Sequence, residues 1–159
     1  MNQPLIFGKG AKKIIVYEPL PVHIENIKKI FSVNSIEGQI NQLGVSGEDG
    51  IQEIKFQEIN PGFGIAHEGP NCIKIRVKSI SKVIDESGAE VAKFDCEGAE
   101  INIVSVPLEI LRKIPYYMIE THSPEIRKAI LEKFSKSGFT LEREKVKSKH
   151  YSVLALKRI

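Results

Sequence analysis

Asp95-Cys96-Glu97-Gly98-Ala99-Glu100 places three carboxylates within six residues, directly behind Val91–Phe94, which reads as the end of a buried strand. Acids at the carboxyl end of a strand stand where open α/β sheets hold their ligands. Gly98 permits a tight turn into the next helix. The same letters also suit a helix start, with Asp95 capping free backbone N–H groups and Glu97 and Glu100 complementing the helix dipole. Taken by themselves they leave both readings open. A second pair, Glu120 and His122, closes the run Tyr116–Glu120, and strand alternation puts both on one side. Imidazole suits proton transfer near neutral pH, so His122 is the candidate base for an acceptor hydroxyl. Cys96 is discounted as a nucleophile, because flanking carboxylates raise the pKa of a thiol. His23, His67 and His150 lack zinc-like spacing to acids or cysteines, and no metal is expected.

The elements that must position these groups are legible from periodicity. Ala11–Tyr17 is an apolar, β-branched run ended by Glu18-Pro19, and Val22, Ile24, Ile27, Ile30 and Phe31 give Pro21–Phe31 a helical stripe. Ile36–Val45 reads as a second strand, Ser46–Gly50 as a turn, and Ile51–Ile59 as a half-exposed strand pairing with Cys72–Val77. Between that pair, Asn60–Asn71 holds three glycines and two prolines, which predicts a lid or binding loop. Ser79 is placed to cap a helix through Glu86, and a further helix is expected from Ala99 to Lys113. Pro124 opens a helix running to Ser137, and Gly138 stops it. Phe139–Glu144 and Tyr151–Lys157 form an antiparallel hairpin. Strands alternating with helices imply parallel crossovers and an α/β sheet covered on both faces, with the hairpin as the exception.

A chain of 159 residues is long enough for one domain with a real core, so residues 1–159 are expected to form a single domain. Apolar residues make up 42% and charged residues 27%, yet no apolar run approaches the roughly 20 residues that cross a membrane. The amino-terminal residues lack the basic start and apolar stretch of a signal peptide, and Cys72 and Cys96 read as reduced thiols, so a cytoplasmic protein is expected. The net charge of +3 is spread out, and the densest basic stretch, Arg143–Lys149, is interrupted by Glu144. That pattern describes a solvated strand or turn; no nucleic-acid or membrane partner is expected.

Three strand ends carry a resemblance. Gly10-Ala11-Lys12-Lys13-Ile14-Ile15-Val16-Tyr17-Glu18-Pro19, Lys93-Phe94-Asp95-Cys96-Glu97-Gly98-Ala99-Glu100 and Ile119-Glu120-Thr121-His122 resemble, in order and spacing, anchors of the FkbM-type methyltransferases. The middle segment is the strongest of the three, and the match spans nearly the whole chain. The resemblance implies a Rossmann-like α/β fold with a mostly parallel sheet of the seven-stranded type, whose last strand inserts antiparallel between its neighbours. It implies S-adenosylmethionine as cofactor and a small-molecule acceptor such as a sugar hydroxyl. Glu18 would bond the ribose hydroxyls, and Leu43, Gly44 and Val45 would flank the adenine. Asp95 and Glu97 would face the methyl-transfer centre, Asp95 at the cofactor and Glu97 toward substrate, with Glu120 and His122 beside them.

One departure from the family pattern concerns the front of the chain. About ten residues precede Ile14, too few for a first strand, glycine-rich cofactor loop and helix, which need on the order of 20. Gly8-Lys9-Gly10 is a Gly-x-Gly by letter only. In such a fold the first strand lies between the second and fourth, so its loss would leave buried strand edges without partners. Three outcomes are open: a truncated product, completion by another chain or a second copy, or closure of Ile14–Tyr17 onto Val91–Phe94. The functional expectation is methyl transfer; the alternative is a non-catalytic, truncated methyltransferase-fold protein or partner subunit that no longer binds the cofactor alone.

Overall fold

Residues 11–56 and 71–159 are described by a computed structural model, which is mixed α/β. The chain divides into two compact units, residues up to 44 with 49–77, and residues 45–48 with 78–159.

In the first unit, β1 (Ile14–Tyr17) pairs in parallel with β2 (Gly38–Asn41), and α1 (Pro21–Val33) connects them. Pro21 stands at the helix start, where its missing N–H costs nothing, and Ile24 and Phe31 form the buried stripe. Gly38 is required where helix meets strand, since a Cβ there would fall 2.4 Å from the Phe31 ring and 2.8 Å from the Ile14 carbonyl. The expected single strand Ile36–Val45 is broken in two. Leu43 N donates to Asn41 O at 2.9 Å, a tight turn after which β3 (Gly44–Ser46), whose last two residues are counted with the second unit, joins a different sheet from β2. The pairing expected between Ile51–Ile59 and Cys72–Val77 is present as β4 (Gly50–Phe56) against β5 (Asn71–Ser79), with Ile54 opposite Ile73. β5 lies between β3 and β4. The expected binding loop, apart from Asn71, lies outside the described residues, as do His67 and Gly8-Lys9-Gly10.

In the second unit, Ser79 occupies the N-cap position of α2 (Ile80–Ser87), but its side chain does not make the expected capping bond. β6 (Val91–Phe94) follows. The helix expected over Ala99–Lys113 is instead a 3₁₀ segment, Ala99–Ser105, and one short turn, α3 (Leu108–Leu111). Pro107 accounts for the break: it offers no N–H, and it holds Val106 extended at φ −65°, ψ 132°. β7 (Tyr116–Thr121) then runs parallel to β6, with Phe94 opposite Ile119. Ser123 caps α4 (Pro124–Lys136) by accepting from Ile126 N at 3.2 Å, and Gly138 ends it at φ 78°. β8 (Phe139–Val146) and β9 (Ser152–Arg158) form the expected hairpin.

The strand order is β6-β7-β9-β8, and β9 runs antiparallel to both its neighbours. Beneath this sheet lies a core of Ile80, Ile84, Ile103, Leu111, Ile119, Ile130 and Leu154 with the aromatic residues. Tyr117 is its centre, edge-on to Phe134 at 4.9 Å and to Phe139 at 5.6 Å, with its hydroxyl donating to Leu111 O at 2.9 Å. Burial pushes that phenol's pKa up. β1 and β6 belong to separate sheets.

Candidate functional site

Where β6 ends, the chain reverses within four residues. Ala99 N donates to Cys96 O at 3.0 Å, and the two residues between, Glu97 and Gly98, both have positive φ, 50° and 99°. A primed turn requires this, and it explains the glycine. Asp95 does not cap the 3₁₀ segment, because Gly98 occupies the capping position. Glu100 closes the turn: its carboxylate accepts from Cys96 N at 2.5 Å and from Gly98 N at 2.8 Å. The Glu100 side chain is 0% exposed, so those charge-assisted bonds are what make its burial tolerable. Burial, and then the Glu100 charge, push the Cys96 thiol up to about 12, in line with discounting it as a nucleophile.

His122 stands one residue beyond β7 with its side chain 12% exposed. Its Nδ1 lies 3.1 Å from Glu100 Oε1, while Nε2 lies 3.5 Å from Glu97 Oε2 and 3.9 Å from Asp95 Oδ1. Tyr151, from the turn before β9, meets the imidazole edge-on at 5.4 Å. Lys93 Nζ holds the other Asp95 oxygen, Oδ2, at 2.8 Å. Nδ1 is fully covered and makes no hydrogen bond, so despite the short separation the ring is not aimed along the Glu100 direction.

The structure therefore brings together Asp95, Glu97 and His122, as the two strand ends suggest. It adds Glu100, which by sequence reads as a dipole-complementing acid. The missed signal is an acid two residues after a turn glycine and next to the apolar run Ile101–Val106, where the chain must turn inward. Glu120, expected beside His122, is instead paired with Lys147, whose Nζ reaches its two oxygens at 2.7 and 2.6 Å. At 8% exposure Glu120 is buried, and the ion pair fastens the end of β8 to β7.

The residues expected at a cofactor are placed less openly. Glu18 Oε1 accepts from Leu20 N at 2.8 Å and Oε2 lies 3.4 Å from His23 Nδ1, so the carboxylate holds the start of α1. Gly44 is buried where a Cβ would lie 2.9 Å from Ile75 and 3.1 Å from Val77, which makes it a close-packing glycine. Leu43 is half-buried, and Val45 packs against the core of the second unit. Chemically, the Asp95–Glu97–Glu100–His122 cluster can accept hydroxyl protons, orient a polar ligand or hold a cation. No protein-family model, curated protein or solved structure matches this chain.

Proposed function

We propose that this chain is an S-adenosylmethionine-dependent methyltransferase of the FkbM type, acting on a hydroxyl of a small molecule or sugar. The observation that supports it best is the order β6-β7-β9-β8, with antiparallel β9 inside and an acid–imidazole cluster at the carboxyl ends of parallel β6 and β7. In this reading those strands are the fourth to seventh of a seven-stranded sheet, and β1 and β2 are its second and third.

A carboxylate offers about four lone-pair sites. Glu18 spends one on Leu20 N and faces His23 with its other oxygen, so it retains capacity for ribose hydroxyls and fits that role. The cofactor, when bound, supplies an electrophilic methyl group. The chain's own residues position the acceptor: Asp95 and Glu97 accept from its hydroxyls, and His122 takes the proton of the reacting one. Transfer of label from methyl-labelled S-adenosylmethionine to a panel of sugars and phenols tests this. Transfer that His122→Ala abolishes supports it, and a folded chain that modifies none of them counts against it.

The second reading, a non-catalytic methyltransferase-fold protein or partner subunit, is favoured by one observation. Glu18 and Glu120 already have internal partners, Leu20 N with His23 and Lys147 respectively, as structural acids do.

A further inference from the structure

We propose that Asp95, Glu100 and His122 form a binding site for one divalent cation of the six-coordinate, Mg²⁺- or Mn²⁺-like class. Each of the three presents a donor atom within 4.8 Å of the others, close enough to converge on one ion after small side-chain rotations.

The orphaned nitrogen of His122 is the independent observation. Its Nδ1 is fully covered and makes no hydrogen bond, in a side chain only 12% exposed. A buried ring nitrogen without a partner is costly, whichever tautomer is present. The nearest acceptor, Glu100 Oε1, lies at 3.1 Å but off the nitrogen's line, so a direct bond does not satisfy it. An ion set between the two would satisfy both. With metal–ligand bonds of about 2.1 Å, that 3.1 Å separation subtends about 95° at the metal, the adjacent-ligand angle of octahedral coordination. Tetrahedral zinc ligands stand wider apart, roughly 3.4 Å.

The donors are also held in place. Glu100 is fixed by Cys96 N and Gly98 N, the outer bonds that orient ligating carboxylates. Lys93 fixes Asp95 Oδ2 at 2.8 Å, and Oδ1 lies 3.9 Å from His122 Nε2. Glu97, with its side chain 46% exposed, faces the other ring nitrogen, Nε2, at 3.5 Å, and water or hydroxyls of a ligand would complete the coordination. The site stands on this donor geometry and does not depend on the methyltransferase reading. Where both hold, His122 is a ligand, and the ion takes over the task of making an acceptor hydroxyl acidic.

The test is calorimetric titration of the full chain with manganese(II) chloride, alongside amide NMR spectra at substoichiometric Mn²⁺. One saturable site is expected, with the strongest broadening at Cys96, Gly98 and His122, displaced by Mg²⁺. His122→Gln and Asp95→Asn, neither of which touches the Glu100 turn bonds, should each bind at least about tenfold more weakly while folded by circular dichroism. The proposal is overturned by absence of saturable binding at millimolar Mn²⁺, by affinity unchanged in both variants, or by broadening centred on other acids. A His122 ring protonated on both nitrogens throughout the titration also overturns it, since imidazolium would then be the cation that Glu100 faces. Loss of S-adenosylmethionine binding with Mn²⁺ binding retained would sink the methyltransferase reading alone.

Discussion

Glu100 carries its charge to a position with no solvent exposure and is held there by two backbone N–H groups, with His122 Nδ1 3.1 Å away. Glu100→Ala strips both donors of their acceptor at once. The expected loss is about 3 kcal/mol in urea unfolding, with Glu100→Gln losing less because one acceptor oxygen stays. Equal losses in the two variants would contradict the role given to the carboxylate. The two thiols should separate as clearly. Cys72 is exposed, whereas Cys96 is half-buried with its pKa pushed up to about 12 by burial and the Glu100 charge. In the native protein one thiol, that of Cys72, should therefore react promptly with Ellman's reagent, and Cys96 only on unfolding. Comparable rates for both would refute this. At this scale Asp95, Glu97 and His122 were legible because strand ends in an α/β chain converge. The inward turn of Glu100 was not, since a regular helix from Ala99 would have carried it on a predictable face. The Glu120–Lys147 pair joins residues 27 apart, a separation on which local pattern is silent.

Between elements, Arg127 of α4 is tied to Glu144 of β8 by a bidentate ion pair at 2.6 and 2.7 Å. The hydrogen bond from Arg127 holds the Glu144 carboxyl below the usual carboxylate range. A depressed folded-state pKa means that the stabilisation is complete above the unfolded value and is lost as pH falls through the folded one. Unfolding free energy should consequently fall more steeply between about pH 5 and pH 3 in the wild type than in Glu144→Gln, as read from denaturant curves. Parallel slopes would show the pair contributes nothing. The hairpin, α4 with its Ser123 and Gly138 boundaries, and the β4–β5 pairing all followed from pattern and turn residues. The helix over Ala99–Lys113 did not survive Pro107, whose effect on Val106 is a backbone restriction that apolar periodicity does not register. The strand over Ile36–Val45 failed for a similar reason: a single turn at Gln42, closed by Leu43 N on Asn41 O, divides the segment between two sheets.

Across the whole molecule, the mixed α/β class was legible from strands alternating with helices, and the hairpin's antiparallel insertion agrees with the order β6-β7-β9-β8. The division into two compact units was not legible, because it depends on residues 45–48 joining a unit that otherwise begins at Lys78. That is a long-range packing outcome, with no linker or composition shift to announce it. The methyltransferase reading requires that the chain bind its nucleoside cofactor. Calorimetric titration with S-adenosylhomocysteine tests this most directly. Saturable one-site binding, weakened in Glu18→Ala, is the predicted result, and a folded sample giving no binding heat at millimolar ligand would contradict it.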